Sequence, residues 1–138
     1  MIETRSQVVS DADKLGEVLI IDDSDVVRKA LAGRLRDAGI RTLEMPSPIG
    51  ATRVILAHDV SVVVINVMTS GMRGDGLVKL FRGNRRFENL AVVLVSGESD
   101  VDIHRLQMEI GADAALPKKS LEDIVPAVQK AWTRRFRR

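Results

Sequence analysis

The 138-residue chain is 45% hydrophobic and 29% charged with a net charge of +2, the balance of a soluble globular protein long enough for one domain with its own core. It has no cysteine, which excludes disulfides, thiolate catalysis and cysteine-ligated metals. No apolar run approaches a membrane span and Met1 to Glu17 holds no apolar signal core, so a cytoplasmic protein is expected. The charge is too small to name a partner, but it is uneven: Arg134, Arg135, Arg137 and Arg138 crowd the C-terminus.

Residues 1–15 read as a flexible leader, 16–133 as one domain, and 134–138 as a basic tail or the start of a linker. Glu17 to Ile21 is the first strand. Ser24 can cap a helix from Asp25 to Ala38 whose apolar stripe is Val27, Ala30, Leu31, Leu35 and Ala38, with Gly39 placed to end it in a left-handed cap. Arg41 to Met45 is a weaker second strand near an edge. Ser47-Pro48 starts a helix that runs to Ala57. Val60 to Ile65 is the third strand, and its four successive β-branched residues, Val62 to Ile65, suit a strand buried on both faces of a parallel sheet. A loop with three glycines, Gly71, Gly74 and Gly76, follows.

Asp75 can cap the next helix, which carries Leu77, Leu80 and Phe81. Arg82 to Asn89 is a polar connection. Ala91 to Val95 is the fourth strand, ending at Ser96-Gly97. Asp100 can cap a helix with Ile103, Leu106 and Ile110, stopped by Gly111. Ala114 to Leu116 is a short fifth strand before Pro117-Lys118. Ser120 can cap the last helix, lined by Leu121, Ile124, Val125, Val128 and Trp132. Trp132 then belongs to the core and Phe136 can extend the stripe. Five strands alternating with five helices call for a parallel sheet covered on both faces, and no repeat or second domain interrupts the pattern.

In such a sheet the ligand site lies beyond the carboxyl ends of the strands. Four features fall there: Asp22-Asp23 after the first strand, Asn66 at the third, Ser96 after the fourth and Lys118 after the fifth. Two adjacent carboxylates repel and call for a cation, so a plain capping role for the pair is the weaker alternative. Lys118 can be a solvated lysine, as Lys119 beside it suggests, or its ammonium can pair with Asp22, Asp23 or the Asn66 oxygen in place of a metal.

With V-L-I-I-D-D-S-D-V-V-R-K-A-L at 18–31, N-V-M-T-S-G-M-R-G-D-G at 66–76, V-V-L-V-S-G at 92–97 and G-A-D-A-A-L-P-K at 111–118, the chain resembles the response-regulator receiver domain, the CheY-like family, over nearly its whole length. The resemblance implies a flavodoxin-like α/β fold with strand order 2-1-3-4-5, the order known for that fold. It also implies an acidic pair (Asp22, Asp23) that holds magnesium with help from the backbone carbonyl of Met68, a switch hydroxyl at Ser96 and a phosphate-contacting lysine at Lys118.

The sequence departs from the family where its chemistry is done. Asn66 stands in the position of the phosphoacceptor aspartate, Ser70 in that of a common loop proline, and Ala115 in that of the aromatic residue that moves with the hydroxyl. Acyl-phosphate formation needs a carboxylate nucleophile, and magnesium prefers charged oxygens. No cofactor is therefore required, and magnesium binding is expected to be weak. Thr69 and Ser70 as substitute acceptors, and His58 and His104 as catalytic groups, are weaker readings than plain loop and surface residues.

The expectation is an atypical receiver that is not an enzyme and works by phosphorylation-independent protein contact. The resemblance implies that a histidine kinase or output protein docks on the face made by the fourth helix, fifth strand and fifth helix. The alternative is a conventional magnesium-dependent receiver carrying an aspartate-to-asparagine change. A flavin or dinucleotide protein is disfavoured, because D-D-S-D lacks glycines and repels phosphate. Nucleic-acid binding by the arginine tail lacks aromatic interleaving and a reading helix.

Overall fold

A computed structural model of the chain describes residues 15–67, 74–97 and 100–136. Residues 1–14 of the expected leader, the loop residues Met68, Thr69 and Ser70, and Arg137 and Arg138 lie outside the described residues, while Leu15, the last residue assigned to the leader, is buried in the core with Val18 and Leu35. Strand β1 (Glu17–Ile21) leads to helix α1 (Asp25–Asp37), strand β2 (Thr42–Met45), helix α2 (Ala51–Ala57) and strand β3 (Val60–Asn66). Helix α3 (Gly74–Arg82), strand β4 (Ala91–Ser96), helix α4 (Asp100–Ile110), strand β5 (Ala114–Pro117) and helix α5 (Ile124–Phe136) complete the chain order.

The strands form one parallel sheet in the order β2-β1-β3-β4-β5, the CheY-like flavodoxin arrangement. Along each strand, alternate residues face opposite layers. Val18, Ile20, Val62, Val64, Val93 and Val95 pack with Leu31 and Leu35 of α1 and with Ile124, Val128 and Ala131 of α5. Leu19, Ile21, Val63, Ile65, Val92 and Leu94 pack on the other side with Ile55 of α2, Phe81 of α3 and Ile110 of α4. β3 and β4 are buried along almost their full length, as their unbroken apolar runs require, while β2 at the edge is only half-buried. Among the described residues no helix is long and apolar enough to cross a membrane.

Helix boundaries differ from expectation in three places. The Ser47 hydroxyl accepts from the Ile49 N–H at 3.2 Å and the Pro48 carbonyl from the Ala51 N–H at 3.0 Å, so this stretch forms a turn. Gly50 then adopts φ +84°, and α2 begins only at Ala51. Ser120 does not cap α5. It is non-helical within a 3-10 segment, Lys118–Asp123, and α5 starts at Ile124. Pro126, which has no N–H to give, is thereby kept within the first turn. α3 begins at Gly74, one residue ahead of Asp75, whose side chain, like that of Asp100, is outside the described residues. Ser24 does cap α1, accepting from the Val27 N–H at 3.2 Å, and Gly39 has the expected positive φ, +82°.

The amino-terminal edge of the sheet is closed by a carboxylate. Asp113, fully buried just before β5, accepts from Arg82 Nη2 of α3 at 2.9 Å and from the Val92 N–H of β4 at 2.9 Å through one oxygen. Its other oxygen accepts from Arg135 Nε of α5 at 2.8 Å. Arg82 also donates to the Gly111 and Leu90 carbonyls, and Arg135 to that of Glu88. One carboxylate thus ties helices of opposite layers to the same strands. Arg135, expected in a solvated tail, is part of this joint. Removing one partner of a buried ion pair leaves uncompensated charge. Asp113→Ala is expected to cost about 3 kcal/mol of unfolding free energy, with Arg135→Ala costing less because Arg82 and the Val92 N–H still meet the Asp113 carboxylate; urea unfolding followed by circular dichroism checks both.

Candidate functional site

The strand register brings the expected residues to one edge. Ile21 of β1 pairs with Ile65 of β3, Asn66 with Val95 of β4, and Ser96 with Pro117 of β5. Asp22 therefore follows β1 beside Asn66 at the end of β3. Both are almost completely buried, at 1% and 3% exposure. Asn66 Nδ2 donates to Asp22 Oδ2 at 3.3 Å, and the Ser24 N–H donates to Asp22 Oδ1 at 2.9 Å. Asp23, the other half of the acidic pair, is exposed. Ser96 is buried at the end of β4, next in the sheet to β3. Ala115 is half-buried and packs against the core layer that holds Leu94, its register partner.

Lys118 is not gathered into the site. It is exposed at the start of the 3-10 segment, and no hydrogen bond or ion pair joins it to Asp22, Asp23 or Asn66. The pairing expected for its ammonium is not formed here. The backbone turns away into 3-10 geometry directly after β5, and an exposed lysine loses nothing by remaining hydrated.

Among the described residues, Arg28 is a cation that the fold brings to this region without any expectation from the strand ends. It lies on the buried side of α1, at helical spacing with Leu31, Ala32 and Leu35, while Ala30 and Ala38 of the expected stripe are exposed. Its Nη1 donates to the backbone carbonyl of Asp22 at 2.8 Å. Its Nη2 pairs with Asp25, and its Nε lies 3.3 Å from Glu44 of β2. Glu44 in turn holds Arg36 at 3.0 Å. The hydrogen bond to Asp25 holds the Arg28 pKa above the ordinary guanidinium value against the opposing effect of burial. A legible signal was available: Asp25 and Arg28 stand three apart, the spacing of a helical ion pair.

The family resemblance implies magnesium between the acidic pair and position 66. Both oxygens of Asp22 already accept hydrogen bonds, and Asn66 presents its N–H, not its oxygen, toward that carboxylate. Among the described residues no group of three or more acidic or histidine side chains is arranged to hold a metal ion. As arranged, these donors do not fit a divalent cation, which takes oxygen ligands. The histidines stand apart from this edge. His58 lies 3.6 Å from Glu17, the first residue of β1, and His104 is exposed on α4.

A parallel five-stranded sheet with a buried acidic residue after β1 defines a class, and residues 18–129 match the family model of the response regulator receiver domain. The chain belongs to that family, and so to the receiver modules of two-component signalling. It is 27% identical over 96 residues to an NtrX-like response regulator of Rickettsia typhi, an alignment covering 70% of this chain and 20% of that protein. A response regulator of Chloroflexus aurantiacus has a similar solved structure, with TM-score 0.79 and 24% identity, covering 86% of this chain and 98% of the other. So has chemotaxis protein CheY4 of Vibrio cholerae, with TM-score 0.74 and 21% identity, covering 85% and 98%. The chain spans between a fifth and about half of the length of the curated relatives it matches.

The two basic residues of this region should separate in a stability measurement. Arg28→Ala removes a buried guanidinium and its bond to the Asp22 carbonyl, and is expected to cost about 2 kcal/mol. Lys118→Ala is expected to stay within about 0.5 kcal/mol of the unsubstituted chain, as for an isolated surface change. Chemical denaturation of the two variants checks the contrast.

Proposed function

We propose that this receiver domain signals through protein contact without accepting a phosphoryl group at position 66. The observation that carries the reading is Asn66 itself, a buried neutral amide at the end of β3, 3.3 Å from the Asp22 carboxylate. Acyl-phosphate formation needs a carboxylate oxygen as nucleophile. An amide oxygen bears no such charge, and its nitrogen lone pair is delocalised. In this reading Asp22 and Asp23 are the family's acidic pair, kept for structure, while Ser96 and Lys118 occupy the hydroxyl and lysine positions without a phosphate to contact. Ala115 supports the same reading, since a methyl group cannot make the inward swing of an aromatic ring.

Receiver domains work with histidine kinases or output domains. Without the −1.5 to −2 charges that a phosphate brings, recognition here falls to the permanent surface. The face built from α4, β5 and α5 is the proposed docking surface for such a partner. Met108 stands on α4 with 83% of its area exposed, an apolar anchor that needs no switch to become available.

Incubation with a small phosphodonor and magnesium, read by intact mass, is expected to leave the unsubstituted chain without a phosphoryl adduct. Asn66→Asp is expected to gain an adduct that alkali removes. An adduct on the unsubstituted chain would overturn the reading.

A further inference from the structure

We propose that the Asn66 amide does, at this site, the work that a divalent cation would otherwise have to do, so that the carboxyl-terminal edge of the sheet is held in one arrangement with no metal. The inference rests on the reading of position 66 given above and extends it to how the site is held.

A carboxylate with 1% exposure has lost its hydration, and close hydrogen-bond donors must replace it. Asp22 has those partners from the protein alone. Ser24 N–H serves Oδ1 and Asn66 Nδ2 serves Oδ2. Its main chain is held as well: the N–H donates to the Met45 carbonyl at 3.1 Å, and the carbonyl accepts from Arg28 at 2.8 Å. These contacts come from β2, α1 and β3, so the same residue joins three elements at the edge.

A carboxylate at 66 would face the Asp22 carboxylate at the same short range. Two such groups cannot both remain ionised there without a cation between them. The amide inverts the sign of one contact: a donor replaces a repelling charge, and attraction replaces the need for a metal. A cation entering this arrangement would have to displace the Asn66 N–H from Oδ2 and turn the amide over to expose its oxygen. It would gain only the two charges of Asp22 and Asp23 in return. Ion binding and conformation at this edge are thereby uncoupled.

Thermal unfolding of the full chain in magnesium and in chelator tests the proposal. The unsubstituted chain is expected to show the same midpoint in both. Asn66→Ala is expected to lower the midpoint equally in both, since it leaves Oδ2 without its donor. Asn66→Asp is expected to have a reduced midpoint in chelator that magnesium restores. Should Asn66→Asp fail to fold, manganese titration of the unsubstituted chain serves instead, with the Asp22 and Asp23 amide resonances expected to escape paramagnetic broadening. Stabilisation of the unsubstituted chain by magnesium, broadening at those two amides, or an Asn66→Ala midpoint equal to that of the unsubstituted chain would each overturn the inference. A chain that gains stability from magnesium while taking no phosphate would sink this inference and leave the proposed function standing.

Discussion

Asp22 is a carboxylate in a place that water hardly reaches, and the carboxyl-terminal edge of the sheet is built to satisfy it. β1 delivers it, α1 caps it through Ser24 N–H, Arg28 grips its carbonyl, and β3 supplies the Asn66 amide. Parallel strands make this convergence unavoidable, because every strand of such a sheet ends at the same edge. What the chain can choose is the chemistry of the groups that arrive, and at β3 it delivers an amide.

The opposite edge solves the same problem in another way. Asp113 is as deeply buried as Asp22, yet it is met by arginines from α3 and α5 and by a strand N–H. A carboxylate surrounded by guanidinium groups is a structural joint. Asp22 instead faces an amide N–H and a backbone N–H. The two edges differ in kind: one clamps the layers together through arginines, and the other gathers Asp22 and Asn66 at the ends of β1 and β3.

The strands were legible because their burial is written locally. Four successive β-branched residues, Val62 to Ile65, suit a strand covered on both sides, and β4 is likewise an unbroken apolar run. Ser24 and Gly39 were legible as helix ends because capping depends on one residue and its immediate neighbours. The start of α2 was not, because the Ser47 turn and the left-handed Gly50 compete with proline's preference for a first helical turn. The phase of α1 was misplaced by the presence of a charge on its buried side. Arg28 lies inward because Asp25, Glu44 and the Asp22 carbonyl wait for it there, and Glu44 comes from a strand that no helical pattern includes.

Fold class, the strand ends at which a site could lie, and an amide at the end of β3 were all readable from the chain alone. These depend on period, composition and the identity of single residues. Which charges are paired emerged only on folding. Lys118 stays exposed, Arg28 and Arg135 are drawn into ion pairs, and the Asn66 nitrogen turns toward Asp22. The reason is physical: the interaction of charged and polar groups is set by distance and by loss of water, and both are properties of neighbours brought together from distant parts of the chain.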